Sequence, residues 1–184
     1  MERIVGILSA AFGWMFLALS VLVAAETLSR KLFNFSFQGA DELGGYALAV
    51  GSSLAFTVAL LERAHIRIDL LHERLPVTVQ AALNWISIML MAGLGLFLVR
   101  YCWLVIRDTL AYGSTAPTPW TTPLIYPQSV WYATLAVFAL VAVWLAVRAT
   151  RLLLAGRIDA LNREFHPKGA LEELAEELED VAQR

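Results

Sequence analysis

The sequence has a single cysteine, Cys102, and no Asp, Glu, Lys, Arg or His within its four longest apolar runs. One cysteine excludes an intrachain disulfide and a thiol relay within the chain, so we expect Cys102 to be a packing residue. The uncharged runs argue against a chain that itself handles ions, because ion pathways usually need ionisable groups or broken helices at mid-membrane depth. A net charge of −2 gives no bulk attraction to nucleic acid.

What the chain has instead is hydrophobic length. Uncharged runs of 19 to 25 residues lie at Ile4–Ala25, Leu43–Leu61, Leu75–Val99 and Leu124–Val147. A helix of about 20 apolar residues spans the roughly 30 Å hydrocarbon core of a bilayer. Because the runs are continuous rather than alternating, they predict helices and not barrel strands. The sequence therefore predicts an all-α integral membrane protein with four transmembrane helices, the first of them an uncleaved span rather than a signal peptide.

Positive residues near the ends of the spans predict the orientation. One set of flanks holds nine and the other holds four. The first set is Arg3, Arg63, Arg67, Arg74, Arg148, Arg151, Arg157, Arg163 and Lys168. The second set is Arg30, Lys31, Arg100 and Arg107. We therefore expect both termini in the cytoplasm, with residues 1–155 forming the four-helix transmembrane domain and residues 156–184 a cytoplasmic tail.

Two of the predicted cytoplasmic segments are amphipathic. Residues 62–76 mix charged residues with isoleucine and leucine, which predicts a short helix at the membrane surface. Within it, His65 and Asp69 are four residues apart and can pair. The basic stretch from Arg148 to Lys168 is expected to extend the last transmembrane helix. Residues 170–183 then predict an acidic C-terminal helix with a narrow apolar seam.

Small residues repeat at every fourth position of the second span. They are Ala47, Gly51, Ala55 and Ala59. These positions share one helix face and let another helix approach closely. The pattern leaves open whether that helix belongs to this chain's own bundle or to another subunit.

The third span and the segment after it carry polar and structure-breaking residues. Asn84 and Ser87 predict interhelical hydrogen bonds, and Gly93 and Gly95 permit close packing or a slight bend. The segment before the fourth span is rich in proline, glycine and threonine, which predicts an exposed, non-helical loop. Its role is that of a connector or of a surface for a partner.

Two stretches of the chain carry motifs with a defined order of residues. Residues 30–43 contain an arginine, an aromatic residue, an asparagine, a serine and an acidic pair, at positions that include Arg30, Asn34, Asp41 and Glu42. His65 and Asp69 form a His-x-x-x-Asp motif ahead of a Leu-Pro pair. Both motifs resemble those of the small membrane subunit of tripartite ATP-independent periplasmic (TRAP) transporters. The acidic tail departs from the family pattern.

The residues of the first motif also have a physical reading of their own. Asp41 and Glu42 open the second helix, where a helix N-terminus favours negative charge. Arg30 and Lys31 lie across the same loop and are candidate partners for these carboxylates. Helix capping with a role in topology, and direct contact with a large subunit, are the two functions that these residues leave open.

The resemblance implies an accessory permease subunit that is not an enzyme and binds no cofactor. It would assemble in the bacterial inner membrane with a large sodium-coupled membrane subunit and a periplasmic solute-binding protein, for import of a carboxylate-type solute. The alternatives are a stand-alone small carrier or channel forming a homo-oligomer, or a membrane enzyme or redox protein. A carrier or channel needs polar residues along its pore, and the spans offer only a few: Ser52, Ser53, Thr57 and Asn84. The single cysteine and the lack of intramembrane histidine or acid weigh against an enzyme or redox protein.

Overall fold

The computed structural model describes residues 2–36, 38–62 and 75–165. Within these ranges the chain forms five helices: α1, Glu2–Phe33; α2, Ala40–Leu61; α3, Val77–Tyr112; α4, Ile125–Leu154; and α5, Ile158–Phe165. The first four are long and apolar enough to cross a membrane. This part of the chain contains no β-strand, only an isolated bridge between Thr115 and Pro123. The predicted all-α architecture with four candidate spans is confirmed for the described residues.

The helices contribute to two compact units. Unit I consists of Met1–Val58 and Gly93–Val141, and unit II consists of Ala59–Ala92 and Ala142–Arg184. Helices α2, α3 and α4 therefore give residues to both units, whereas α1 belongs to unit I and α5 to unit II.

The core of unit I lies between α3 and α4. The two helices approach closely at Gly95, where an added β-carbon would lie 3.0 Å from the Cα of Ala139. Cys102 is buried beside Ile106 and Leu135. The predictions of close packing at Gly95 and of a packing role for Cys102 are confirmed.

Helix α1 is the least buried of the four long helices. In an apolar stretch of 18 residues within α1, only 6% is buried, compared with 22–28% in the corresponding stretches of the other three helices. Large side chains such as Trp14, Val21 and Leu28 stand more than half exposed along it. In a membrane these side chains need no protein cover, because lipid is as apolar as they are.

Helix α4 ends earlier than the sequence predicts. Gly156 has a φ of 67°, and the backbone N–H groups of Gly156 and Arg157 donate to the carbonyls of Leu153 and Leu152, both at 3.0 Å. This is a Schellman cap, which needs a left-handed residue after the helix and so favours glycine. The last long helix does extend into the basic stretch, but the prediction that it continues through that stretch is wrong beyond Leu154, because Gly156 ends it and α5 is a separate helix.

Candidate functional site

The turn between α1 and α2 explains one motif residue through its backbone. Helix α1 stops at Phe33, and Asn34 follows with a φ of 48°. Asparagine tolerates this left-handed conformation better than most residues with a side chain. Further along the turn, Gly39 lies so close to the Trp120 indole that an added β-carbon would overlap the ring. The turn is therefore fixed by backbone conformation at one end and by contact with a distant loop at the other.

A buried carboxylate, that of Glu26, ties the end of α1 to this turn. Its side chain accepts hydrogen bonds from Arg30 Nη2 at 2.7 Å and from Ser36 Oγ at 2.6 Å, and the residue is only 4% exposed. A carboxylate removed from water needs such donors, and charge-assisted bonds are the strongest of them. Two motif positions, Arg30 and Ser36, therefore donate hydrogen bonds to Glu26, a residue that was not predicted as part of the site. The signal that could have found it is the spacing of Glu26 and Arg30, four residues apart on one helix.

A second buried carboxylate, that of Glu42, ties α2 to the loop between α3 and α4. Glu42 is 8% exposed and accepts hydrogen bonds from the Tyr46 hydroxyl at 2.9 Å and from the Thr118 hydroxyl. Its neighbour Asp41 is exposed. The acidic pair therefore divides into a buried acceptor and a surface charge, a difference that the sequence alone does not show.

The loop between α3 and α4 is non-helical, as predicted, but it has a defined fold. The Ala116 N–H donates to the Thr122 carbonyl at 2.9 Å, and the Leu124 N–H donates to the Ser114 carbonyl at 3.1 Å. These bonds close a hairpin-like loop over residues 113–124. Because Glu42 holds its tip, the loop is fixed to the start of α2.

In unit I, these side chains form two hydrogen-bonded groups, which together we call the loop cluster. One group is Glu26, Arg30 and Ser36, and the other is Glu42, Tyr46 and Thr118. Within each group the polar atoms bond one another and hold chain segments together. Among the described residues, no group of three or more His, Cys, Asp or Glu side chains is placed to hold a metal ion. The arrangement is suited to anchoring loops at a helix end.

The small-residue face of α2 contacts α1 at Gly51. A β-carbon added to Gly51 would lie 2.5 Å from Phe16 Cε2 and 2.7 Å from Met15 Cε. The other stripe positions are half-buried: Ala47, Ala55 and Ala59. At Gly51 the space beside α2 is therefore filled by side chains of α1.

In unit II, a pair of buried amides ties α5 to α3. Asn84 Nδ2 donates to Asn162 Oδ1 at 3.1 Å, and Asn162 Nδ2 donates to the Val77 carbonyl at 3.0 Å. The interhelical hydrogen bond predicted for Asn84 is confirmed. Nearby, Trp85 Nε1 donates to Thr150 Oγ1 at 3.0 Å and joins α3 to α4. The role of Asn162 could not be predicted from the sequence, because the basic stretch around it indicates a helix that continues α4 and not one that packs on α3.

Some predicted features lie outside the described residues. They include His65 and Asp69, most of the predicted amphipathic connection, and the acidic C-terminal helix.

These features define a class of protein, a polytopic helical membrane protein whose buried polar residues anchor chain segments. The family described as "Tripartite ATP-independent periplasmic transporters, DctQ component" matches residues 19–153. The chain belongs to this family, the small permease subunits of TRAP transporters, which is a family of transporter components and not of enzymes. The resemblance predicted from residues 30–43 is confirmed, and the match covers the whole loop cluster. Neither the curated proteins nor the solved structures gave a significant match.

Proposed function

We propose that this chain is the accessory subunit that assembles with a large sodium-coupled membrane subunit and a periplasmic solute-binding protein to import a carboxylate-type solute. The observation that carries the proposal is the family match over residues 19–153, because a component of a tripartite transporter works with other components. The uncharged apolar runs support an accessory role, since they lack the ionisable groups that ion coupling usually needs. In this proposal the sodium and solute sites lie in the large subunit.

The proposal includes a location and an orientation. The protein lies in the bacterial inner membrane with both termini in the cytoplasm, residues 1–155 in the bilayer and residues 156–184 as a cytoplasmic tail. The distribution of arginine and lysine around the spans supports this orientation. It puts the turn between α1 and α2, and the loop at residues 113–124, on the periplasmic side, where the binding protein arrives.

Within this arrangement the loop cluster keeps the periplasmic face in one shape. Arg30 acts through its bond to Glu26, Asn34 through its backbone, and Glu42 through its bond to Thr118. Asp41 remains at the surface and is available to a partner. We retain the pairing of His65 with Asp69 as the corresponding proposal for the cytoplasmic side.

For the small-residue stripe we propose packing within the chain's own bundle. The tight approach of Phe16 and Met15 to Gly51 supports this choice. The alternative, a contact with another subunit, needs Gly51 to face away from α1.

Co-purification tests the proposed assembly. The chain is tagged at its C-terminus, extracted gently from native bacterial membranes, and its partners are identified by mass spectrometry. We expect a much larger polytopic membrane protein in stoichiometric amount, and not with an unrelated tagged membrane protein extracted in the same way. A chain that purifies alone as a homo-oligomer would contradict the proposal and favour a stand-alone carrier.

A further inference from the structure

Unit II contains a cavity of about 810 Å³. None of its lining residues belongs to the loop cluster or to the family motif, so the proposed function does not account for it. It lies between the first turn of α3, at Val77 and Thr78, and the first turns of α5. Its volume falls in the range of about 300–1,000 Å³ that is common for sites binding small molecules. The α5 side contributes the charged side chains: Arg157, Asp159, Arg163 and Glu164.

Helix α5 is held firmly in place, so these charged groups have a defined position. Leu161 and Phe165 are buried on one face of the helix. Asn162 bonds to α3, and Glu164 forms an ion pair with Arg148. With that face used for packing, the arginines of the cavity lie on the exposed side.

The lining of the cavity combines cations with apolar surface. Arg157 and Arg163 are exposed, and a guanidinium presents several donors in a geometry that suits phosphate. Val77, at the cavity wall, is 52% exposed, and Ile158 lies in the same lining, where Glu164 is already ion-paired with Arg148. Cationic groups beside bare apolar side chains suit an amphiphile with an anionic head rather than a small soluble anion.

We propose that this cavity binds the headgroup of an anionic phospholipid of the cytoplasmic leaflet. Arg157 and Arg163 hold the phosphate, and the acyl chains lie against Val77 and Ile158. Arginine and lysine residues close to the cytoplasmic end of a transmembrane helix are attracted to anionic lipid headgroups. Asp159 accepts a hydrogen bond from a headgroup hydroxyl, which makes phosphatidylglycerol the appropriate probe. The inference rests on the orientation given in the proposed function.

Native mass spectrometry of the full-length chain, together with its co-purified membrane partner, tests the proposal. The sample is titrated with phosphatidylglycerol and, separately, with phosphatidylcholine. We expect tighter binding of phosphatidylglycerol, and at least about a tenfold loss of that binding in the double variant R157Q/R163Q. The matched control is R100Q/R107Q, which removes two exposed arginines from α3 in unit I and should leave the binding unchanged.

Two further measurements keep the test decisive. The charge-preserving variant R157K/R163K should keep most of the selectivity, even if R157Q/R163Q unfolds. Titration with inorganic phosphate, followed by thermal unfolding, should give no saturable stabilisation. Stabilisation by phosphate that R157Q/R163Q abolishes would reassign the site to a free anion and overturn the lipid proposal.

Equal binding of the two lipids, or equal loss in the control variant, would also overturn it. The same mass spectra show whether the large subunit is present, so the lipid proposal and the assembly proposal can be tested independently. Loss of lipid selectivity with the partner present contradicts only this inference. Absence of the partner with selectivity intact contradicts only the proposed assembly.

Discussion

The two units anchor their chain segments with different polar groups. Unit I ties its turn and its loop to helix ends through the carboxylates of Glu26 and Glu42, which accept hydrogen bonds from guanidinium and hydroxyl groups. Unit II ties α5 to α3 through the neutral amides of Asn84 and Asn162. A buried carboxylate depends on every donor around it, whereas these amides carry no charge and bond one another and the Val77 carbonyl.

The difference has a consequence for sequence motifs. In unit I the carboxylates require particular donors, so the serine and arginine of residues 30–43 have specific partners. In unit II, α5 is anchored both by hydrogen bonds of side-chain amides and by the apolar packing of Leu161 and Phe165. We therefore expect unit II to tolerate paired apolar replacement of its polar contacts, and unit I to depend on each donor.

The largest expected effect is that of Leu161→Ala in unit II. Leu161 is fully buried, and truncation of such a side chain costs about 2–5 kcal/mol through lost burial and the cavity left behind. The free energy of unfolding in mixed detergent micelles, measured by SDS titration, checks this. Leu154→Ala is the matched control, since Leu154 is 83% exposed and its truncation should change stability little. Equal losses in both variants would show that packing does not hold α5.

In unit I, Gly51→Leu should destabilise the contact of α1 with α2. The space beside Gly51 is already filled by Phe16 and Met15, and overpacking of this kind costs about 1–3 kcal/mol. The same substitution at Gly45, which has no neighbour within 4 Å, is the control. Equal stability of the two variants, with lost co-purification of the large subunit only for Gly51→Leu, would move the stripe to a subunit interface.

The amide pair of unit II gives a direct test of the comparison. Asn162→Leu removes the acceptor that Asn162 offers to the buried Asn84 amide, which should cost about 1–3 kcal/mol. The double variant N84L/N162L removes both amides and should recover part of that loss, since only the bond to the Val77 carbonyl is then missing. A double-mutant cycle by SDS unfolding measures the recovery. A double variant less stable than either single one would contradict the expected recovery.

The smallest expected effect is local to unit I. Glu42→Gln keeps the size of the side chain but weakens the acceptor that holds Thr118, so the loop at residues 113–124 should loosen while the helices remain. Hydrogen exchange should become faster at the Ala116 and Leu124 amides, with global unfolding nearly unchanged. Asp41→Asn, at the exposed neighbour, is the control. Unchanged exchange in Glu42→Gln would mean that the loop holds itself.

The elements of this fold that depend on local sequence pattern could be predicted. The four long helices follow from hydrophobic length alone, and the family from the order of residues between Arg30 and Glu42. Tertiary contacts could not be predicted in this way. Asn84 and Asn162 are 78 positions apart, and nothing near either residue points to the other. The stop at Gly156 was missed because one glycine in a basic helical stretch carries a weak signal until its φ is known.

Glu26 shows the same limit within the candidate site. Its spacing from Arg30 indicates a surface ion pair, but its burial depends on Ser36, which the turn at Asn34 brings back to it. The division of Asp41 and Glu42 into an exposed and a buried acid likewise depends on the arrival of Thr118 from a distant loop.

Reconstitution of uptake tests the central claim, that this chain is an assembly subunit and not a carrier by itself. Proteoliposomes are prepared with this chain, with its large membrane partner, or with both, and solute uptake is measured in the presence of the binding protein and a sodium gradient. We predict uptake only when both membrane subunits are present. Uptake by this chain alone, at a rate equal to that of the pair, would contradict the account.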